Sequence, residues 1–199
     1  MTRAGLTLIL AGVVLACAPP IWTEVNTSEN APIVRTVAML PFDSTPAPGA
    51  SVPSDASQVV AARVLEALTQ ETELVVIAPD KVMLVPGAGG TTGREALRKT
   101  FGADAVLTGV VRRYTERSGG PSGSTRPSAV WFTLELRSIE GVLIWSGTYN
   151  ETQAALSDDL GSFRRAWQRG FKWVTAADLA AYGARELAEA LAEEIGPWS

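Results

Sequence analysis

The chain of 199 residues contains no histidine and a single cysteine. Without histidine there is no Ser-His-Asp triad, no Cys-His dyad and no imidazole-ligated metal site. One cysteine leaves no intrachain disulfide, no cysteine-rich zinc site and no CxxC redox pair. Charge is sparse too. Seventeen basic and 21 acidic residues make up 19% of the chain and give a formal net charge of −4, a poor balance for binding nucleic acid, which is not expected as a partner. Beyond the N-terminus no apolar run approaches the roughly 20 residues a helix needs to cross a bilayer. What the chain does have is 46% hydrophobic residues, enough for a core, at a length suited to one domain.

The first 17 residues read MTRAGLTLILAGVVLAC. Arg3 supplies a short positive start and Leu6 to Leu15 an apolar stretch of signal-peptide proportions, so residues 1–16 are expected to be removed. The end of this segment, Val14-Leu15-Ala16-Cys17, resembles the bacterial lipobox. That resemblance implies a diacylglyceryl thioether on Cys17, cleavage before it and acylation of the new amine. Three acyl chains hold a protein durably where one gives only marginal binding. The residue after the cysteine is Ala18, not aspartate. By the lipoprotein sorting rule this implies the outer membrane, with the protein facing the periplasm. Residues 17–34, polar and proline-containing, are expected to form a lipidated tether, and residues 35–196 the folded domain.

Within that domain three continuous apolar runs, Val37 to Leu40, Leu74 to Ile77 and Ala105 to Leu107, predict strands buried on both faces. Helical patterns separate them. The first follows the cap candidates Ser54 and Asp55 and places Val60, Val64 and Leu68 on one stripe. The second opens on Thr92-Gly93-Arg94-Glu95, a capping-box pattern, and closes at Gly102. Then the rhythm changes. Val130, Phe132, Leu134 and Leu136 alternate with Trp131, Thr133, Glu135 and Arg137, a half-buried strand, and a turn at Glu140-Gly141 returns Val142 to Tyr149 as its hairpin partner. Thr175 and Asp178 open a last helix with the stripe Leu179, Tyr182, Leu187, Leu191 and Ile195, stopped by Gly196 and Pro197. The predicted fold is a single α/β domain with a mixed sheet and the order β-α-β-α-β-β-β-α. Residues 41–53 and 118–127, rich in proline, glycine and serine, read as loops, the second a mobile one.

Three stretches carry candidate chemistry. The glycine-rich run from Pro86 to Gly93 lacks the Gly-Lys-Ser/Thr end of a phosphate loop and reads as a loop before a helix. Asp158 and Asp159, with Glu151 nearby, invite a glycosidase reading, but adjacent carboxylates point apart and either aspartate suits a helix cap near Leu160. Most conspicuous is Phe163-Arg164-Arg165-Ala166-Trp167-Gln168-Arg169-Gly170-Phe171-Lys172-Trp173, with four basic and four large aromatic residues in eleven positions. Phe163, Arg164, Arg165, Trp167, Arg169, Phe171, Lys172 and Trp173 are candidates for membrane or partner contact. The alternative places Phe163, Trp167 and Phe171, an i, i+4, i+8 series, in the core with the arginines solvated.

Three strand segments also resemble a group of bacterial envelope proteins. They are Val37-Ala38-Met39-Leu40-Pro41-Phe42, Gly102-Ala103-Asp104-Ala105-Val106-Leu107-Thr108-Gly109 and Gly141-Val142-Leu143-Ile144-Trp145-Ser146. The group unites the periplasmic domain of CsgG with PelC, LpoB and the N-terminal domain of TolB, and the likeness spans roughly residues 35–195. It implies an anticodon-binding-domain-like α/β fold without enzymatic activity or cofactor, working by oligomerising or docking onto envelope partners. These are core strands, so they carry fold rather than function. A CsgG-type pore needs extra membrane strands of about 9–11 residues, for which the 118–127 segment is too short and too rich in breakers. The resulting expectation is an outer-membrane lipoprotein acting non-enzymatically in envelope assembly or export, with a protein partner and a possible homo-oligomer. The alternatives are a peptidoglycan-synthase activator and a carboxylate-dependent glycan hydrolase.

Overall fold

The computed structural model describes residues 21–25, 33–118, 126–153 and 174–195. The chain runs β1 (Ile21–Val25), β2 (Thr36–Met39), β3 (Asp43–Ser44), α1 (Ala56–Glu71), β4 (Val75–Ile77), α2 (Pro79–Val82), α3 (Thr91–Phe101), β5 (Ala105–Thr115), β6 (Ala129–Ser138), β7 (Leu143–Thr152) and α4 (Ala176–Ile195). Without β1, the two-residue β3 and the one-turn α2, this is the predicted order. The sheet reads β1-β7-β6-β5-β2-β4, with β3 also paired to β5. β2 is parallel to both β4 and β5, and the other long pairings are antiparallel, so the sheet is mixed.

Topology decides which face each helix covers. The chain leaves β2 through α1 to reach β4 on one side, then returns through α2 and α3 to β5 on the other side of β2. Right-handed crossovers taken in opposite directions put their helices on opposite faces. Two cores follow. The larger joins the sheet to α1 and α4 through Met39, Val60, Val64, Leu107, Phe132, Trp145, Tyr149, Leu187 and Leu191. The smaller, on the other face, gathers Ala38, Ile77, Val82, Leu97, Val106 and Ile139. Alternation in β6 sends Val130, Phe132, Leu134 and Leu136 into the larger core, as its period of two requires.

The helix ends divide the capping signals into those that operate and those that do not. At α4 the box forms: the Thr175 backbone N–H donates to Asp178 Oδ2 at 3.0 Å and the Asp178 N–H to Thr175 Oγ1 at 3.1 Å. At α3 it does not. The helix starts at Thr91 with Gly90 as N-cap and no side-chain cap, so Thr92 lies inside the helix and cannot cap it, and Glu95 pairs instead with Arg98 at 2.9 Å while Arg94 Nε donates to the Ile139 carbonyl at 3.0 Å. Its other end closes at Gly102, which adopts the left-handed conformation with φ 69°. Asp55 sits at the N-cap of α1 but makes no side-chain cap.

Two expectations need correction. The stretch 17–34 is not tether throughout, because Ile21–Val25 pairs antiparallel with β7, Ile21 opposite Tyr149 and Val25 opposite Trp145. Its alternation, Ile21, Thr23 and Val25 half-buried with Trp22 and Glu24 exposed, is a strand period too short to stand out beside two prolines. The run Leu74 to Ile77 is not buried on both faces. β4 is the sheet edge and Val75 is 62% exposed. At the ends of the loop expected over 118–127, Ser118 and Arg126 exchange backbone hydrogen bonds at 3.0 and 3.2 Å, and residues 119–125 lie outside the described residues.

Candidate functional site

The expected functional residues fall outside the described structure. Cys17 does, and so do Phe163, Arg164, Arg165, Trp167, Arg169, Phe171, Lys172 and Trp173, together with Asp158 and Asp159. Glu151, the third carboxylate of the hydrolase reading, is described. It is buried and accepts a short hydrogen bond from the Tyr149 hydroxyl. Among the described residues no cluster of acidic, cysteine or histidine side chains has the makings of a metal site, and no helix is long and apolar enough to cross a membrane.

The glycine-rich run is a self-packed turn. The Gly90 N–H donates to the Gly87 carbonyl at 2.8 Å, and a Cβ on Gly93 would lie 1.8 Å from that carbonyl oxygen. The glycine at 93 therefore serves contact between two stretches of backbone. The Gly-Ala-Asp stretch before β5 is structural as well. Asp104 Oδ2 accepts the backbone N–H groups of Arg35 and Thr36, both at 2.8 Å, and so fixes where β2 enters the sheet.

The surface that remains is the sheet face opposite α1 and α4. Among the described residues, α2 and α3 cover it toward β2, β4 and the start of β5. Across β5, β6, β7 and β1 the register sets side chains in rows. Arg113, Trp131 and Asn150 form one, Val110, Thr133, Thr148 and Trp22 a second, and Thr108, Glu135, Ser146 and Glu24 a third. A bulge between Val111 and Arg113 makes the first row possible. Arg112 is the extra residue, so Val111 and Tyr114 both reach the core while Arg113 turns to the polar face. Within the rows, Arg113 Nη2 donates to Asn150 Oδ1 at 2.6 Å, the hydroxyls of Thr133 and Thr148 meet at 3.1 Å, and Arg137 grips Glu135 Oε2 from Nε and Nη2 at 3.0 and 2.8 Å. Trp22 is 47% exposed at the edge. This is a polar, hydrogen-bonded surface with tryptophans at 22 and 131. Its outward alternation was legible in β6. Its continuation onto β1 was not, because β1 itself was not.

Tyr114 lies where β5 meets α1. Burial, reinforced by the negative charge and hydrogen bond of Glu116, pushes its phenol up to about 12. Glu116 also accepts the Ala176 backbone N–H at 3.2 Å, tying β5 to the first turn of α4.

No protein-family model matches this chain, and no curated protein matches it in sequence. Solved structures do match. PelC from Paraburkholderia phytofirmans, a dodecamer, is 18% identical over 86% of this chain and 95% of that chain, with a TM-score of 0.54. A point variant of that PelC, also a dodecamer, is 16% identical over 86% and 97%, with a TM-score of 0.55. Lipoprotein GNA1162 from Neisseria meningitidis is a looser match, 18% identical over 69% and 95% with a TM-score of 0.46. The architecture implied by the three strand motifs is thereby established: this chain has the PelC fold over nearly the whole length of PelC.

Proposed function

We propose that this protein is a lipid-anchored component of the bacterial outer membrane, facing the periplasm, that acts in envelope assembly or export without catalysing a reaction. It works by assembling with copies of itself or by docking a protein partner. The observation that carries this reading is the shared fold with a protein whose structure is a dodecamer. The single cysteine at the lipobox position supports the anchor, and the polar face across β5, β6, β7 and β1 offers area for contact. The segment Phe163 to Trp173 supplies a second contact surface in this proposal.

The test is the mass of the full-length acylated chain, extracted in mild detergent and measured by light scattering. A closed assembly of many copies is the expected result. A monomer at high concentration would reject self-association. A truncated soluble form must retain β1, which pairs along its length with β7.

A further inference from the structure

We propose that Trp22 seats in the headgroup region of the lipid bilayer, a second point of membrane contact beside the acyl chains on Cys17. This contact rests on the anchor proposed above and adds to it a residue of the folded domain. Trp22 lies on β1, the edge strand, and is 47% exposed. Its neighbours along the strand, Ile21, Thr23 and Val25, are half-buried, and Ile21 and Val25 pack against the larger core. Alternation turns Trp22 and Glu24 to the other face of the sheet, away from α4. There Thr148 of β7 stands opposite Trp22, and Thr133 of β6 opposite Thr148. The next two strands thus offer the indole hydroxyl-bearing side chains rather than an apolar pocket. An indole is apolar over its ring and carries one N–H at its edge, which is why tryptophan concentrates where a bilayer meets water.

Position favours lipid as the occupant. Trp22 follows Cys17 closely in the chain, and even fully extended backbone between them spans no more than about 18 Å. A lipid on Cys17 therefore brings the bilayer surface within reach of this ring. β1 then leads away from the lipid. Glu24, the next residue on the same exposed face, lies about 6–7 Å beyond Trp22, two residues along a strand. From the lipid outward the exposed side of β1 carries an aromatic ring and then a carboxylate. A bilayer surface grades in the same order, from a belt that favours aromatic rings to water that favours charge. A protein partner also buries indoles. The acyl chains close to this one make the bilayer the nearer surface.

The experiment reconstitutes the full-length acylated chain in phosphatidylcholine vesicles, with and without bromine near the headgroup end of the acyl chains, and reads tryptophan fluorescence. The chain has 6 tryptophans, so the Trp22 signal is taken as the difference between the parent and Trp22→Phe. Trp22→Tyr gives the same difference independently and serves if the first variant fails to fold. Bromine quenches indoles seated in the bilayer, and aqueous iodide quenches those in water. The Trp22 signal should lose most of its intensity to brominated lipid and little to iodide. Quenching by iodide with none by brominated lipid overturns the proposal. Protection from both also overturns it, because a protein contact would then cover the indole. The mass of the purified chain is measured first. An acylated chain whose Trp22 stays in water rejects this contact alone, whereas a chain without acyl groups rejects the anchor and the contact together.

Discussion

The indole N–H of Trp145, a side chain with no solvent exposure, donates to the Glu194 carboxylate at 2.7 Å. The same carboxylate accepts the Thr23 hydroxyl of β1. One glutamate on the last turn of α4 thus joins the edge strand to the centre of the larger core. Glu194→Ala should cost about 1–3 kcal/mol, the penalty for stranding a buried donor. Glu194→Gln keeps an acceptor oxygen and should cost less. Urea unfolding of the two variants measures the difference, and equal stability of both with the parent would show that the link contributes nothing.

Gly183 faces the Tyr149 ring across the α4–β7 contact, where a Cβ would lie 2.4 Å from ring carbons. In an open helix, glycine to alanine is stabilising by about 1 kcal/mol. Here the ring cannot retreat. It is fully buried, packs on Phe132 at a centroid distance of 5.6 Å and holds Glu151 through its hydroxyl. Gly183→Ala should therefore destabilise, by about 1–3 kcal/mol of overpacking. A raised melting temperature would contradict this geometry.

Tyr114 gives the fold a sensitivity to alkali. Its folded pKa stands above the usual value of 10.0, at about 12, so the folded state favours the neutral phenol. That stability is fully present below the unfolded pKa and is lost as pH rises through the window from about 10 to about 12. Melting temperatures across that window should fall in the parent chain and fall less in Tyr114→Phe. Parallel curves for the two would remove Tyr114 as the cause.

Most of the architecture was readable before the structure, and the misreadings have physical reasons. Residues 37–39 and 105–107 are central strands between two helical layers, so they need apolar side chains on both faces and stand out as unbroken runs. Residues 74–77 make a similar run yet end at the edge, because composition does not reveal which side of a strand lacks a neighbour. The α4 box and the α3 box look alike in sequence. The helix at the second starts earlier, at Thr91 with Gly90 as its N-cap, which leaves Thr92 inside the helix where its hydroxyl cannot cap. Arg113 was not expected beside Trp131, since the bulge that turns it to that face has no local signal.

Cys17→Ser should leave an uncleaved or mis-sorted precursor, as mass spectrometry of the membrane fraction would reveal. Normally processed, acylated protein from this variant would reject the anchor.

The basic-aromatic segment separates into two outcomes on one set of variants. If it contacts lipid or an acidic partner, replacing Arg164, Arg165, Arg169 and Lys172 by alanine should weaken flotation with anionic liposomes, and salt should weaken it further. Folding should change by only about 0–1 kcal/mol per exposed charge. If the aromatics are core, Trp167→Ala should cost about 3–5 kcal/mol with flotation unaltered in the charge variants.

The strand pairing of Ile21 with Tyr149 sets the length of the leash. Only residues 18–20 separate Cys17 from the first strand, and an extended chain covers about 3.3–3.6 Å per residue, so a lipid on Cys17 would lie no more than about 14 Å from the sheet. A tether running to residue 34 would have allowed several times that distance and free tumbling. If Cys17 carries the lipid, so short a leash would hold the β1 edge near the bilayer and the β4 edge, at the opposite side of the sheet, away from it. Inserting a flexible stretch between Cys17 and Ile21 should raise the mobility of a spin label on the β4 edge. With the native spacing, a lipid on Cys17 would leave the domain little room to turn, so that one side of it would be presented to whatever approaches.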